Sequence, residues 1–206
     1  MVIAAYDRVF FYSSPNLIDW TRESEFGVNV GAHGGVWECP ELLPRDCDGD
    51  EKWILVVSVY PGGPNGGSGT QYFVGKFDGS TFINENPGKE PMWLDYGRAN
   101  YAGVTFSNIA EDDGRRILIA WMSNWEYAQI VPTERWRNAM TIPRELYLDL
   151  NADHYELFCR PIGELDLLRK DSFEIEPAVI AGKMDLREGE KYESSMYEIN
   201  LEFKIT

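Results

Sequence analysis

The residue best placed to do chemistry is Glu38, in the segment Val36–Leu42 (VWECPEL), between Trp37 and Cys39-Pro40. Aromatic and apolar neighbours desolvate a carboxyl group and favour its neutral form. That is the state a general acid needs near neutral pH. Pro40 biases Cys39 towards extended geometry, so the segment reads as a strand edge facing a cavity. Taken alone the signal is weak, because the chain holds 34 Asp plus Glu and such residues are mostly solvated surface charges. Two further stretches add candidates. Trp93–Asn108 (WLDYGRANYAGVTFSN) gathers Asp95, Arg98 and Tyr101 ahead of a strand, and Ala120–Tyr127 (AWMSNWEY) puts Trp121 and Trp125 at a strand end. Trp125, with Asn124, is a candidate sugar platform; burial of both Trp in a core is an equal alternative.

Other chemistries are poorly supplied. The three cysteines, Cys39, Cys47 and Cys159, and the two histidines, His33 and His154, show no zinc-ligand spacing. No metal or cofactor is expected. A net charge of −15 repels nucleic acid and is compatible with a neutral substrate. No apolar run reaches the roughly 20 residues of a membrane-spanning helix, so no membrane partner is expected. The start Met1–Asp7 has no basic n-region of a signal peptide.

The elements that must position these residues read as short strands. Val2–Ala5 and Val9–Tyr12 form a hairpin. Trp53–Val59 (WILVVSV) is a nearly continuous apolar run, as in a buried strand. Gln71–Phe77, Ala102–Ser107, Ile117–Met122, Met140–Ile142, Glu145–Leu150 and Tyr155–Cys159 follow, with Asp78-Gly79, Asp112–Gly114 and Asn151–Asp153 as turns. Pro61–Gly69 (PGGPNGGSG) cannot be a strand interior and reads as a surface loop, an ordinary long turn being favoured over a binding loop. Glu164–Arg169 is a short helix at most. Many short strands with no long helical period predict an all-β sandwich, barrel or propeller. We expect one domain over residues 1–160, a linker over 161–172 and a β-rich segment over 173–206. In that segment Tyr197–Thr206 (YEINLEFKIT) alternates like a strand.

Taken in order, WECPEL, DYGRANYAGVTFSN and IAWMSNWEYAQIVPTERWRNAMTIPREL resemble glycoside hydrolase family 32, which includes invertases, levanases and exo-inulinases. Ser13–Trp20 (SSPNLIDW) fits the same pattern. The resemblance implies an incomplete five-bladed β-propeller followed by the start of a β-sandwich. It implies retaining hydrolysis of terminal β-fructosyl linkages in levan, inulin or sucrose by an Asp nucleophile and a Glu acid/base. By motif, Glu38 is the acid/base, and Cys39, Asp95, Arg98 and Trp125 are substrate-binding. The parent enzyme is then expected to be secreted or periplasmic. A non-catalytic carbohydrate-binding propeller, with Trp125 and Tyr101 as stacking surfaces, and a different five-bladed glycosidase are the alternatives.

Some of the family pattern is not met. No segment resembles the Trp-Met-Asn-Asp-Pro-like stretch that carries the nucleophile, nor the Arg-Asp-Pro motif; Arg45-Asp46 is followed by Cys47. Ala99 stands where relatives commonly carry Asp, and Phe106 where levanase-like members often carry Trp. The chain by itself is therefore expected to be inactive, and its exposed blade edges to favour a homo-oligomer.

Overall fold

The computed structural model describes residues 1–86, 88, 90–110, 112–185 and 196–205. The chain divides into two compact units, Met1–Leu165 and Asp166–Thr206. In the first unit the described strands form three antiparallel meanders. β1 (Val2–Ala5), β2 (Arg8–Ser13) and β3 (Thr21–Phe26) make the first sheet. β4 (Val36–Cys47), β5 (Asp50–Tyr60) and β6 (Gly69–Phe77) begin the second. Its outer position is shared end to end by β7 (Phe82–Asn84) and β8 (Met92–Trp93), both paired with β6. β9 (Tyr101–Thr105), β10 (Ile117–Trp121), β11 (Arg144–Asn151) and β12 (His154–Pro161) make the third.

Local sequence explains the turns. Cys47 pairs with Asp50 across Asp48-Gly49, and both turn residues have positive φ, 53° and 84°. That is the two-residue hairpin geometry for which Asp-Gly is suited. β3 was not foreseen, because TRESEF lacks apolar alternation. Its Arg and Glu side chains are what an exposed outer strand needs to discourage edge pairing.

The continuous apolar run of β5 has a direct cause. Leu55, Val57 and Val59 face one core with Val9, Phe11 and Trp37. Ile54 and Val56 face a second core with Leu118, Leu146 and Leu157. The middle sheet is packed between the other two, so both faces of its strands are apolar. Fully burying each such side chain contributes about 1.5–3 kcal/mol.

In three places the structure departs from the expectations. Met140–Ile142 is not a strand; Met140 makes only an isolated bridge to Trp121. Pro61–Gly69 is not simply a surface loop, since Gly67, Ser68 and Gly69 are buried. Tyr197–Ile205 forms no strand among the described residues, and Tyr197, Ile199, Leu201, Phe203 and Ile205 are all exposed. Alternation makes a strand only where a partner supplies a ladder and a surface to cover, and so short a segment supplies neither. The expected short helix is a 3-10 turn over Gly163–Leu168.

Candidate active site

Strand β4 decides where Glu38 points. Its register with β5 runs Glu38 to Ser58, then Glu41 to Val56. Three steps on one strand thus match two on the other, the signature of a β-bulge. The bulge lies at Cys39-Pro40, and Cys39 has φ 46°. The extended geometry expected for Cys39 is therefore wrong. At this bulge Cys39 takes a left-handed conformation, which overrides the bias from Pro40 at a cost of about 1–3 kcal/mol in backbone strain.

The bulge also reverses the in-out phase of the strand. Trp37, before it, packs in the first core, whereas Leu43, six positions later, packs in the second. As a result Glu38 and Glu41, which plain alternation would send to opposite faces, both address β9. The hydroxyl of Tyr101 donates to Glu38 Oε2. The amide of Thr105 donates to Glu41 Oε1 and Oε2 at 3.1 and 3.0 Å, and its hydroxyl to Oε1 at 2.6 Å. Between them the amide of Ala102 donates to Ser58 Oγ at 3.0 Å. β4 and β5 of the second sheet are thus pinned to β9 of the third.

Glu38 and Trp125 come together. With Tyr60 and Gln129 they line an open depression of about 380 Å³, within the range of small-ligand sites. Trp125 remains 44% exposed. Its indole lies 5.0 Å from that of Trp121, which stands 6.3 Å from the Tyr101 ring. Trp37 is buried on the other side of the strand, its Nε1 donating to the Ala32 carbonyl at 2.7 Å. Glu38 itself is exposed, not enclosed by its aromatic neighbour as expected, because adjacent strand residues face opposite ways. Tyr101 is buried and is no stacking surface; burial, reinforced by the Glu38 hydrogen bond, holds its phenol well above the ordinary tyrosine range.

The other expected residues sit around this centre. Cys39 is exposed and beside Glu38; desolvation and the Glu38 charge raise its thiol above the ordinary range, so it is no thiolate at neutral pH. Asp95 uses both oxygens on the protein. Oδ2 accepts Arg144 Nη1 at 2.8 Å and Oδ1 accepts the Gly97 amide at 2.6 Å. Arg98 pairs with Glu126. Glu41 is not among the expected residues, although a proline inside a strand pattern is a recognised sign of a bulge. No group of three or more metal-ligating side chains occurs among the described residues.

Residues 1–161 match the model of the glycosyl hydrolases family 32 N-terminal domain. The chain belongs to this family. It is 46% identical to a levanase of Bacillus subtilis (strain 168) over all of its own length and 31% of the relative's. It is 44% identical to an extracellular exo-inulinase of Aspergillus awamori over 71% of this chain and 28% of that one. The crystal structure of exo-inulinase from Aspergillus awamori superposes with a TM-score of 0.70 at 38% identity, covering 78% of this chain and 33% of the other. A fructofuranosidase from Schwanniomyces occidentalis, complexed with fructose, gives 0.67 at 32% identity over 78% and 32%. The chain spans about a third of the length of these relatives. Its three meanders are blades of the five-bladed β-propeller of this glycoside hydrolase family, in agreement with the expected fold class.

Proposed function

We propose that this chain carries the acid/base half of a retaining β-fructosidase site that acts on terminal β-fructosyl linkages of fructans or sucrose. The observation that carries the reading is the placement of the Glu38 carboxylate at the open depression, held by the hydroxyl of buried Tyr101, with exposed Trp125 lining the same depression. In this reading Glu38 gives its proton to the glycosidic oxygen as the bond to the anomeric carbon breaks. It then takes a proton from the water that releases fructose. Trp125 stacks on a sugar ring. Arg98, on the neighbouring loop and paired with Glu126, is a further substrate-binding residue. Asp95 holds that loop through Arg144 and Gly97, and Cys39 sets the backbone angle beside Glu38.

Retention needs a second carboxylate about 5–5.5 Å away as nucleophile. No stretch of the 206 residues matches the family's nucleophile motif, so we propose that the attacking group is not among them. The 206-residue chain is then expected to release negligible fructose from sucrose, inulin or levan. The test pairs Glu38→Gln with the unchanged protein in an active enzyme containing this chain: turnover is lost and oligosaccharide binding is kept. Retained turnover in Glu38→Gln, or fructose release by the purified 206-residue chain, would refute the corresponding half of the reading. The relatives named extracellular favour a secreted parent protein. Association through blade edges is expected, and light scattering showing only monomer at high concentration would exclude it.

A further inference from the structure

The side chain of Asn124 is wholly buried, 0% exposed, and therefore cannot contribute to a sugar platform itself. Its Nδ2 donates to the carbonyls of Gly66 and Arg98, at 3.1 and 2.9 Å. Its Oδ1 accepts the Glu126 amide at 3.0 Å. Three loops therefore meet on one amide: the glycine-rich 61–69, the 95–100 segment, and the turn that carries Trp125.

The glycine-rich loop is shaped to this contact. A Cβ on Gly67 would lie 2.2 Å from Asn124 Oδ1 and 2.7 Å from Glu126 Cγ, and the residue has φ +67°. Only glycine fits there without displacement. The next residue, Ser68, is buried, and its Oγ accepts the Trp125 amide at 3.1 Å. The loop thus fixes the backbone of the residue whose indole lines the depression beside Glu38. The two carbonyls facing Nδ2 can be satisfied only by a donor.

We propose that Asn124 is a positioning residue, which together with Gly67 and Ser68 sets the place of Trp125 over the fructosyl site. It acts through its neighbours and does not touch the ligand. The proposal rests on reading that depression as a sugar site, and the test separates the two ideas.

Nystose is titrated into the 206-residue protein and its Asn124→Asp and Gly67→Ala variants. Trp125 emission is isolated by difference from Trp125→Phe. At about pH 9, where even a carboxyl raised by burial ionises, Asn124→Asp replaces a donor by an acceptor of the same shape, and affinity is expected to fall about tenfold or more. On acidification to about pH 5 or below, the buried carboxyl takes up a proton and regains one of the two donors. Affinity then recovers in part relative to the unchanged protein at the same pH. Gly67→Ala weakens binding without that recovery. Trp125 emission shifts in both variants. If the unchanged protein does not bind nystose, the sugar-site reading fails while the emission shift still tests the hub. Wild-type affinity in either variant, or Trp125 emission unmoved in both, overturns the proposal.

Discussion

The hydroxyl of Tyr101 donates to a carboxylate oxygen of Glu38 across 63 positions of the chain. One end of this pair is buried and the other faces the depression, so the contact transmits the rigidity of the third sheet to an exposed carboxylate. A phenol buried against a carboxylate resists ionisation, because its anion would be both desolvated and repelled.

Tyr101→Phe is therefore expected to leave the tyrosinate absorbance of the folded protein unchanged up to about pH 11, although one tyrosine has been removed. Unfolding in urea is expected to show a loss of about 1.5–3 kcal/mol, the range for a hydrogen bond to a charged group. An absorbance deficit of one tyrosine below that pH would show that Tyr101 is accessible.

Glu41 makes a second contact of the same kind, accepting both the amide and the hydroxyl of Thr105. Glu41→Ala leaves that amide without its partner. The expected loss is about 1–3 kcal/mol, with Glu41→Gln losing less because it keeps one acceptor oxygen. Denaturant midpoints at constant slope measure both. Equal stability of Glu41→Ala and the unchanged protein would mean that the inner strands do not depend on this clamp.

Much of this arrangement was legible in the sequence, in particular ways. WILVVSV announced a buried strand, though not that both its faces would be covered, and the order of the motifs announced the family. The site itself was less legible for a physical reason. Plain alternation places Glu38 and Glu41 on opposite faces; only the bulge at Cys39-Pro40 brings them to one side, and a bulge is set by pairing with β5, which is nonlocal. The burial of Gly67 and Ser68 is equally nonlocal, since it depends on Asn124, more than fifty residues away in sequence. In the other direction, the alternation of Tyr197–Ile205 was overread, because periodicity describes a surface and not the partner that must cover it.

Lys52 joins two carboxylates of the second sheet and lies against a ring of the third. Its ammonium is 2.7 Å from Asp50 Oδ2 and 2.7 Å from Glu85 Oε2, and it lies 4.8 Å from the centre of the Tyr155 ring. The side chain is 3% exposed, whereas Asp50 is largely in solvent. The ammonium is buried but neither carboxylate is, so both can be resolvated, and Lys52→Ala is expected to cost about 1–3 kcal/mol, the range for lost hydrogen bonds to charged groups. Lys52→Met keeps the stem that packs on Tyr155 and should lose less. A smaller loss for Lys52→Ala than for Lys52→Met would contradict this account.

His154 gives a pH dependence whose sign is fixed by its neighbours. Its Nε2 lies 2.9 Å from Glu156 Oε1 and its Nδ1 3.4 Å from Asp153 Oδ1. The Glu156 hydrogen bond, and then that of Asp153, raise its pKa above the model-peptide value of 6.5. A group whose folded pKa is raised binds its proton more tightly in the native state. Its stabilisation is complete below the unfolded pKa, about 6.5, and is lost as pH rises through the folded value. Glu156, lowered by the same contact, reports the same ion pair, so the two shifts are not summed. The site is solvent-accessible and the effect is small. The difference in melting temperature between the unchanged protein and His154→Gln is therefore expected to be larger at about pH 6 than at about pH 9, and to shrink with added salt. A difference that grows with pH would mean that the imidazole is stabilised in its neutral form, and that the pairing with Glu156 does not govern its titration.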